Sequence, residues 1–448
     1  MSDRRLAAAA LEGPSTDLAA DIEPGRTSAI AALRYRDFRL FWFGLLVSNT
    51  GTWMQMFGQG YLVVQLAVQG GVPQLAPLYL GLVGLARAIP GLSLGLFGGA
   101  LADRSDRRRL LLVTQSSAAV IAGILAGLTV AGHITVPEIL LLGALNSTIF
   151  AFDAPTRQSM VPRLVPRRDL LSAIGLNSAA FTGPQVIGPV IGGLIFAPFA
   201  ETPFLGLGIL FGINATSYLA VVIALLAMRP IPVTGRRRDV PMLDAIREGL
   251  RYIRRDPVIR WVILLSVASS LFARPYLQLL PAVAHDVLRV GAVELSWMLA
   301  AAGLGSLAGA LVTASLGAFR RRGVLLLASV AAFGLLLAGF AVQRELVGTL
   351  PFLAALGLVT MLFNGMGNTI LQTKSPDHLR GRVMSVYTMV FLGLMPLGSM
   401  VLGVAGTIVG IGVALLVGGL VLFAAATYAF FRAPQVRRLI ASPTKASA

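Results

Sequence analysis

Between two apolar runs, each long enough to cross a bilayer, lies the segment Gly99-Ala100-Leu101-Ala102-Asp103-Arg104-Ser105-Asp106-Arg107-Arg108-Arg109. A loop this short and this charged, joining two spanning helices, must sit at a membrane face, because hydrocarbon offers its polar groups no partner. Apolar runs of roughly 20 residues, the length that crosses about 30 Å of hydrocarbon, recur along the chain. They predict helices over 38–67, 75–102, 109–131, 135–155, 169–197, 203–228, 258–284, 291–318, 322–342, 348–373, 383–409 and 411–432. Only 13% of the 448 residues are charged, against about 25% in a soluble chain. The expected fold is an all-α membrane protein of twelve transmembrane helices.

The net charge of +17 is explained by where the charge lies. All but four of the 37 basic residues fall in the tails and in loops on one side of the predicted bundle. Arg289 and Arg344 lie in opposite loops, and Arg87 and Arg274 lie within spans. This asymmetry places both termini in the cytoplasm of a cell with a multi-pass inner (cytoplasmic) membrane protein. The charge then serves topology and contact with anionic membrane lipids, and nucleic acid is not an expected partner. The chain has no cysteine, and His133, His285 and His378 are scattered, so no metal set, H-E-x-x-H motif or cofactor site is expected. An enzyme is not expected. The G-x-x-x-x-G-K-[ST] phosphate loop is missing too, so any transport would draw on a gradient.

The sequence divides into a mobile cytoplasmic tail (1–34), a six-helix half (35–228), a cytoplasmic linker (229–257), a second six-helix half (258–432) and a cytoplasmic tail (433–448). In the linker, Leu243, Ile246, Leu250 and Ile253 share one helical face, and Arg247, Glu248, Arg251, Arg254 and Arg255 occupy the rest. That pattern predicts an amphipathic helix on the inner leaflet. An internal repeat marks the halves. Arg36-Asp37, with Trp42 after four intervening residues, recurs as Arg255-Asp256 with Trp261; Arg107-Arg108-Arg109 recurs as Arg320-Arg321-Arg322. The second copy has Leu316 where the first has Asp103, so the halves differ at the linker side.

The charged loop resembles the motif G-x-L-a-D-R-x-G-R-[RK] between the second and third helices of the major facilitator superfamily. Gly99, Leu101, Asp103, Arg104, Arg107 and Arg108 match, and Asp106 replaces the usual glycine. Arg36-Asp37-Phe38-Arg39, the run Phe152–Arg157 followed by Val161–Pro166, and Leu379–Ser385 together resemble the enterobactin-exporter-like (transmembrane secretion effector) branch, which Asp106 also fits. Gly188, Pro189, Gly192 and Gly193 resemble the G-P-x-x-G-G motif of antiporter branches, although ordinary small-residue packing explains them as well. The resemblance implies two six-helix pseudo-repeats and alternating access. It implies a proton-antiport exporter of a small amphipathic metabolite, siderophore or drug, working as a monomer. It also implies a gate at the cytoplasmic face, with Asp103 facing Arg380 and Arg382 and with Asp153 facing Arg107. A static salt bridge is the alternative for these charges. A multidrug exporter of lipophilic cations and an uptake symporter are the rival functions.

In that fold the first, fourth, seventh and tenth helices line a central cavity. They carry Asn49, Trp53, Gln55, Gln59, Asn146, Arg274, Gln278, Asn364 and Asn368, and Arg87 lies in the second. Polar groups at this depth are costly unless paired or wetted, and each singly has bonding to a neighbouring helix as its alternative. Arg87 and Arg274 have no carboxylate at their depth in the predicted spans, which, if they face the cavity, favours an anionic or polyhydroxylated aromatic ligand over a cation and leaves a proton mechanism without an obvious carrier; snorkelling or pairing with helix carbonyls is the alternative. If Asp103 holds the gate, Asp103→Asn should insert and fold normally yet slow transport about tenfold or more, the worth of one charged hydrogen bond. Wild-type turnover in reconstituted vesicles would remove Asp103 from the gate.

Overall fold

The computed structural model describes residues 28–229, 242–316 and 321–439, without the side chains of 95–100, 102–104, 242–247, 249, 377, 378 and 392. Among the described residues the chain is helical, with no strand. The first half holds α1 (Arg36–Gln69), α2 (Ala76–Arg104), α3 (Arg107–Val130), α4 (Val136–Met160), α5 (Leu170–Phe196) and α6 (Pro203–Ala227). A linker helix (Met242–Arg255) follows. The second half holds α7a (Pro257–Phe272), α7b (Tyr276–Ala282), α8 (Ala292–Ser315), α9 (Arg322–Ala341), α10 (Leu346–Lys374), α11 (Asp377–Val409) and α12 (Ile411–Arg432).

Eleven of the twelve expected spans are long and apolar enough to cross a membrane among the described residues. The twelfth, α1, has ample length at 34 residues but is too polar along its middle. Its polar side chains find partners inside the bundle. Asn49 donates to the Ala180 carbonyl at 2.9 Å and Asn214 donates to Gln55 at 2.6 Å. Thr50 and Thr52 bond carbonyls one turn back in α1. A span surrounded by other helices need not be lipid-like.

The seventh span was expected to be continuous over 258–284 and is broken instead. Pro275 has no N–H to give, and its ring disfavours a helical residue before it. The ladder stops as the Ala273 and Arg274 amides both turn to the Ser269 carbonyl. Beyond α7b the chain makes a π turn, Val283–Val287. Gly398 of α11 lies against the Ser270 and Leu271 carbonyls, and Gly418 of α12 against that of Phe272. These glycines let neighbouring backbone cover the interrupted turn.

Packing repeats between the halves. In the first, α2 packs on α4, α3 on α6, and α1 on both α5 and α6; in the second, α8 packs on α10, α9 on α12, and α7a on both α11 and α12. The halves meet where α2 lies along α11 and α5 along α8. In lipid, helices gain little from hydrophobicity against one another and associate through close backbone approach. A Cβ on Gly305 of α8 would sit 1.8 Å from the Ala354 carbonyl of α10, and one on Gly357 of α10 would sit 2.1 Å from that of Ala302.

The described residues at either end of the bundle pack more than a tail should. Ala31–Arg34 form a short 3-10 turn, with Ala31 and Ala32 buried. Ser172, in the first turn of α5, accepts from the Ala32 amide at 3.1 Å and donates to the Ala29 carbonyl at 2.7 Å. Tyr35 donates to the buried Asp169 at 2.6 Å. The expected mobile tail to residue 34 thus docks near its end; residues 1–27 lie outside the described residues. At the other end, Pro434–Arg437 form a turn whose Val436 is buried, and a Cβ on Gly323 would meet its carbonyl at 1.7 Å.

The contact of Gly305 with backbone generates a test. Gly305→Ala should destabilise the protein by about 1–3 kcal/mol through overpacking, read as a lower unfolding temperature in detergent. Gly123→Ala, which meets nothing within 4 Å, should be neutral or slightly stabilising. Equal effects would show that α8 and α10 are not in close backbone contact.

Candidate functional site

Two adjoining cavities lie where the halves meet. The narrower, about 60 Å³, is bounded by Trp53, Gln59 and Gly60 of α1, Leu80 and Arg87 of α2, Pro189 of α5, and Gln278 and Pro281 of α7b. The wider, about 440 Å³, runs between α2, α4, α7b and α11 and reaches Pro155 and Gln158 on α4. Arg87, Gln278 and Met395 border both. Arg87 is the single charged residue in either lining among the described residues. Its guanidinium donates to the Gln59 side chain. Its backbone carbonyl accepts from Ser147 on α4. Gly143 leaves room for the arginine stem, which a Cβ there would meet at 3.5 Å. The cation is therefore held by neutral dipoles, with no carboxylate beside it in either wall.

Gln278 joins the halves. Its amide donates to the Leu80 carbonyl at 3.1 Å. Among the described residues, the closest glycine contacts between the halves lie toward the face opposite the linker helix. A Cβ on Gly81 would sit 2.7 Å from the Ser399 carbonyl, one on Gly403 2.5 Å from that of Pro77, and one on Gly193 2.1 Å from the Ser296 hydroxyl. The G-P-x-x-G-G residues thus have packing partners. Gly188 and Gly192 let α5 lie against Trp53 and Phe57 of α1, Gly193 lets it meet α8, and Pro189 borders the narrow cavity.

The remaining cavity candidates lie in different surroundings. Trp53 and Gln59 border the narrow cavity, whereas Asn49 and Gln55 face α5 and α6. Asn146 is half-buried on α4. Asn368 accepts from Gln372 one turn along α10. Asn364 carries a buried side-chain oxygen without a hydrogen bond. Arg274, at the break in the seventh span, borders neither cavity. Its guanidinium stacks 3.4 Å from the centre of the Phe391 ring, and its Nη1 is buried with no hydrogen-bond partner. The lining residues Gln158, Pro155 and Pro281 were missed by sequence reading, although the two prolines within apolar spans were a usable signal.

The described contacts of the gate residues include several inside one half and one with the linker helix. Asp153 is buried and takes Arg157, one turn along α4, as its ion-pair partner in place of the expected Arg107. It also accepts from Thr114 at 2.8 Å and Gln115 at 2.7 Å on α3, and Arg157 reaches Asn49 on α1 at 3.4 Å. One carboxylate so ties α1, α3 and α4 together. Arg107 donates to Ser159 at 2.9 Å. Arg108 donates to the Leu225 and Leu226 carbonyls at the end of α6, where a cation complements the helix dipole. Asp106, the departure from the usual glycine, caps α3 by accepting from the Arg108 and Arg109 amides. Arg380 donates to the Gln372 carbonyl, and Arg382 pairs with Glu248 of the linker helix. Expectations on Gly99, Asp103 and Arg104, and on Leu243 and Ile246 in the linker, concern side chains outside the described residues.

A family model described as transmembrane secretion effector matches residues 27–445. The staphyloferrin A transporter of Staphylococcus aureus is 25% identical over 81% of this chain and 87% of its own. The multidrug efflux pump Tap of Mycolicibacterium fortuitum is 26% identical over 81% and 88%. The enterobactin exporter EntS of Salmonella typhimurium is 26% identical over 68% and 72%. Among solved structures, a bacterial homologue of the human lysosomal transporter Spinster, in an inward-facing unoccupied conformation, superposes with TM-score 0.66 at 16% identity, covering 90% of this chain and 99% of that one. A D-xylose–proton symporter does so with TM-score 0.64 at 15% identity, covering 89% and 99%. These structures share the fold.

The network around Asp153 predicts coupling. Asp153→Asn and Arg157→Gln should each destabilise the first half, and the double variant should lose less than the sum by about 0.5–3 kcal/mol, the range for residues in contact. A double-mutant cycle on the unfolding temperature measures it. A larger coupling of Asp153 to Arg107 would restore the expected gate pair.

Proposed function

This chain belongs to the transmembrane secretion effector family of the major facilitator superfamily, and from that premise we propose that it is an alternating-access, proton-driven exporter of a small amphipathic anion or polyhydroxylated aromatic metabolite. A membrane transporter fold, and relatives named as siderophore and drug transporters, support the class. The observation that supports the substrate charge is Arg87, the one charged group bordering the paired cavities among the described residues, whose guanidinium donates to Gln59. In a low-dielectric site an unneutralised guanidinium attracts a carboxylate or phenolate and opposes a lipophilic cation. The apolar wall of Trp53, Phe57 and Met395 suits an aromatic or aliphatic body.

The linker face is the cytoplasmic one in this reading, as the basic residues require. The halves are then closed outside, by α2 on α11 and α5 on α8, while the wider cavity extends inward along α4. Substrate enters from the cytoplasm beside Gln158 and reaches Arg87. Separation of Gln278 from Leu80, and of Gly193 from Ser296, opens the outer side while the inner side closes. Arg274 serves the break in the seventh span, stacked on Phe391, and does not meet substrate.

Flux into proteoliposomes under an imposed pH gradient tests the activity, with matched anionic, neutral and cationic aromatic substrates. Anions should move against the proton gradient faster than cations of equal size. Arg87→Gln should weaken anion binding by about 1–3 kcal/mol, the worth of a charge-assisted hydrogen bond, and spare neutral ligands. Arg274→Gln should affect both alike. Preferred export of cations by the unaltered protein would overturn the substrate class, and flux indifferent to the gradient would overturn the coupling.

A further inference from the structure

The two arginines that the charge asymmetry leaves in loops on the far side, Arg289 and Arg344, border the same cavity. It has a volume of about 1030 Å³ and lies at the face opposite the linker helix, away from Arg87. Its walls come from the end of the seventh span (His285 to Val290), the loop after α9 (Arg344), and the turn from α11 into α12 (Gly406 to Val413). Pro73 and Gln74, from the loop between α1 and α2, complete it. It therefore bridges the two halves.

The charges are built into this bowl in different ways. Arg344 is anchored by donating to the Gln343 carbonyl at 3.1 Å and the Ala341 carbonyl at 3.4 Å. Its Nη1 would lie 3.9 Å from a Cβ on Gly412, across the bowl's edge. Arg289 is exposed and is the one described non-glycine residue with positive φ, at 55°. That backbone conformation is uncommon for an L-residue. It follows a π turn, a distortion found mostly at functional positions. The acidic group in the lining, Asp286, is engaged by His285 at 2.8 Å, so the two guanidiniums leave the bowl net positive. The positive end of α12 adds the same sign. The remaining wall, Val287, Val290, Ile411 and Val413, is apolar.

We propose that this outer bowl binds a phosphate or carboxylate group attached to an apolar body, gripped between Arg289 and Arg344. Guanidinium forks suit both anions. The anion comes either from a lipid headgroup of the outer leaflet or from a free solute. Because the bowl includes Pro73 and Gln74 of the first half, an occupant stabilises the form in which the outer ends are together.

The full-length protein, in nanodiscs of phosphatidylcholine alone, is titrated with inorganic phosphate while its unfolding temperature is read. A second preparation replaces part of the phosphatidylcholine with phosphatidylglycerol. The unaltered protein should gain stability in at least one arm. The double variant Arg289→Gln, Arg344→Gln should lose at least half of that gain, measured against its own value without anion. Thr407→Trp, which fills the bowl and keeps both charges, should lose it as well. A gain with phosphate identifies a free anion, and a gain with phosphatidylglycerol alone identifies a headgroup. The same gain in unaltered protein and both variants, or no gain in either arm, overturns the site.

Discussion

The close approach of backbone where the start of α2 meets the end of α11 is the contact on which the arrangement depends. Pro77, Gly81, Ser399 and Gly403 bring the two helices within the reach of their main chains. No larger side chain fits there. Gly193 on Ser296 fastens the halves at the same end, opposite the linker helix. The paired cavities around Arg87 lie beside these contacts. The same small residues that give lipid-immersed helices their affinity therefore also join the two halves at that end.

A second constraint acts inside the first half. Asp153 is buried among Arg157, Thr114 and Gln115. A buried ion pair is seldom a net source of stability, but removing one partner leaves a stranded charge at a cost of about 3–5 kcal/mol. With three donors directed at it, this carboxylate fixes α3 and α4 against one another, and Arg157 carries the link on to Asn49 of α1. The network supplies the buried carboxylate with partners inside the first half.

The span count, the linker helix and the two pseudo-repeats were legible because hydrophobic runs and charge asymmetry are one-dimensional signals. Pairing was not. Nothing in the spacing distinguishes Arg107 from Arg157 as the partner of Asp153, since one lies in the neighbouring helix and the other one turn away. Asn49 and Gln55 looked like cavity residues because their helix lines a cavity in the related fold, yet a helix has other faces, and theirs meet Ala180 and Asn214. Arg87 and Arg274 were indistinguishable as buried cations. Only the fold separates the one that borders the cavities from the one stacked on Phe391. Pro275 in the seventh span announced a break that a hydropathy reading smooths over.

That break makes the two halves mechanically unequal. The first span is one rod of 34 residues, and its counterpart is two short pieces joined at Ala273-Arg274-Pro275. A rod transmits a tilt from end to end, whereas a jointed pair absorbs it at the joint. A tilt applied at one end of the seventh span can therefore be taken up at Ala273-Arg274-Pro275 before it reaches the other end. The related six-helix units thus share a packing plan and differ in the continuity of their first helix.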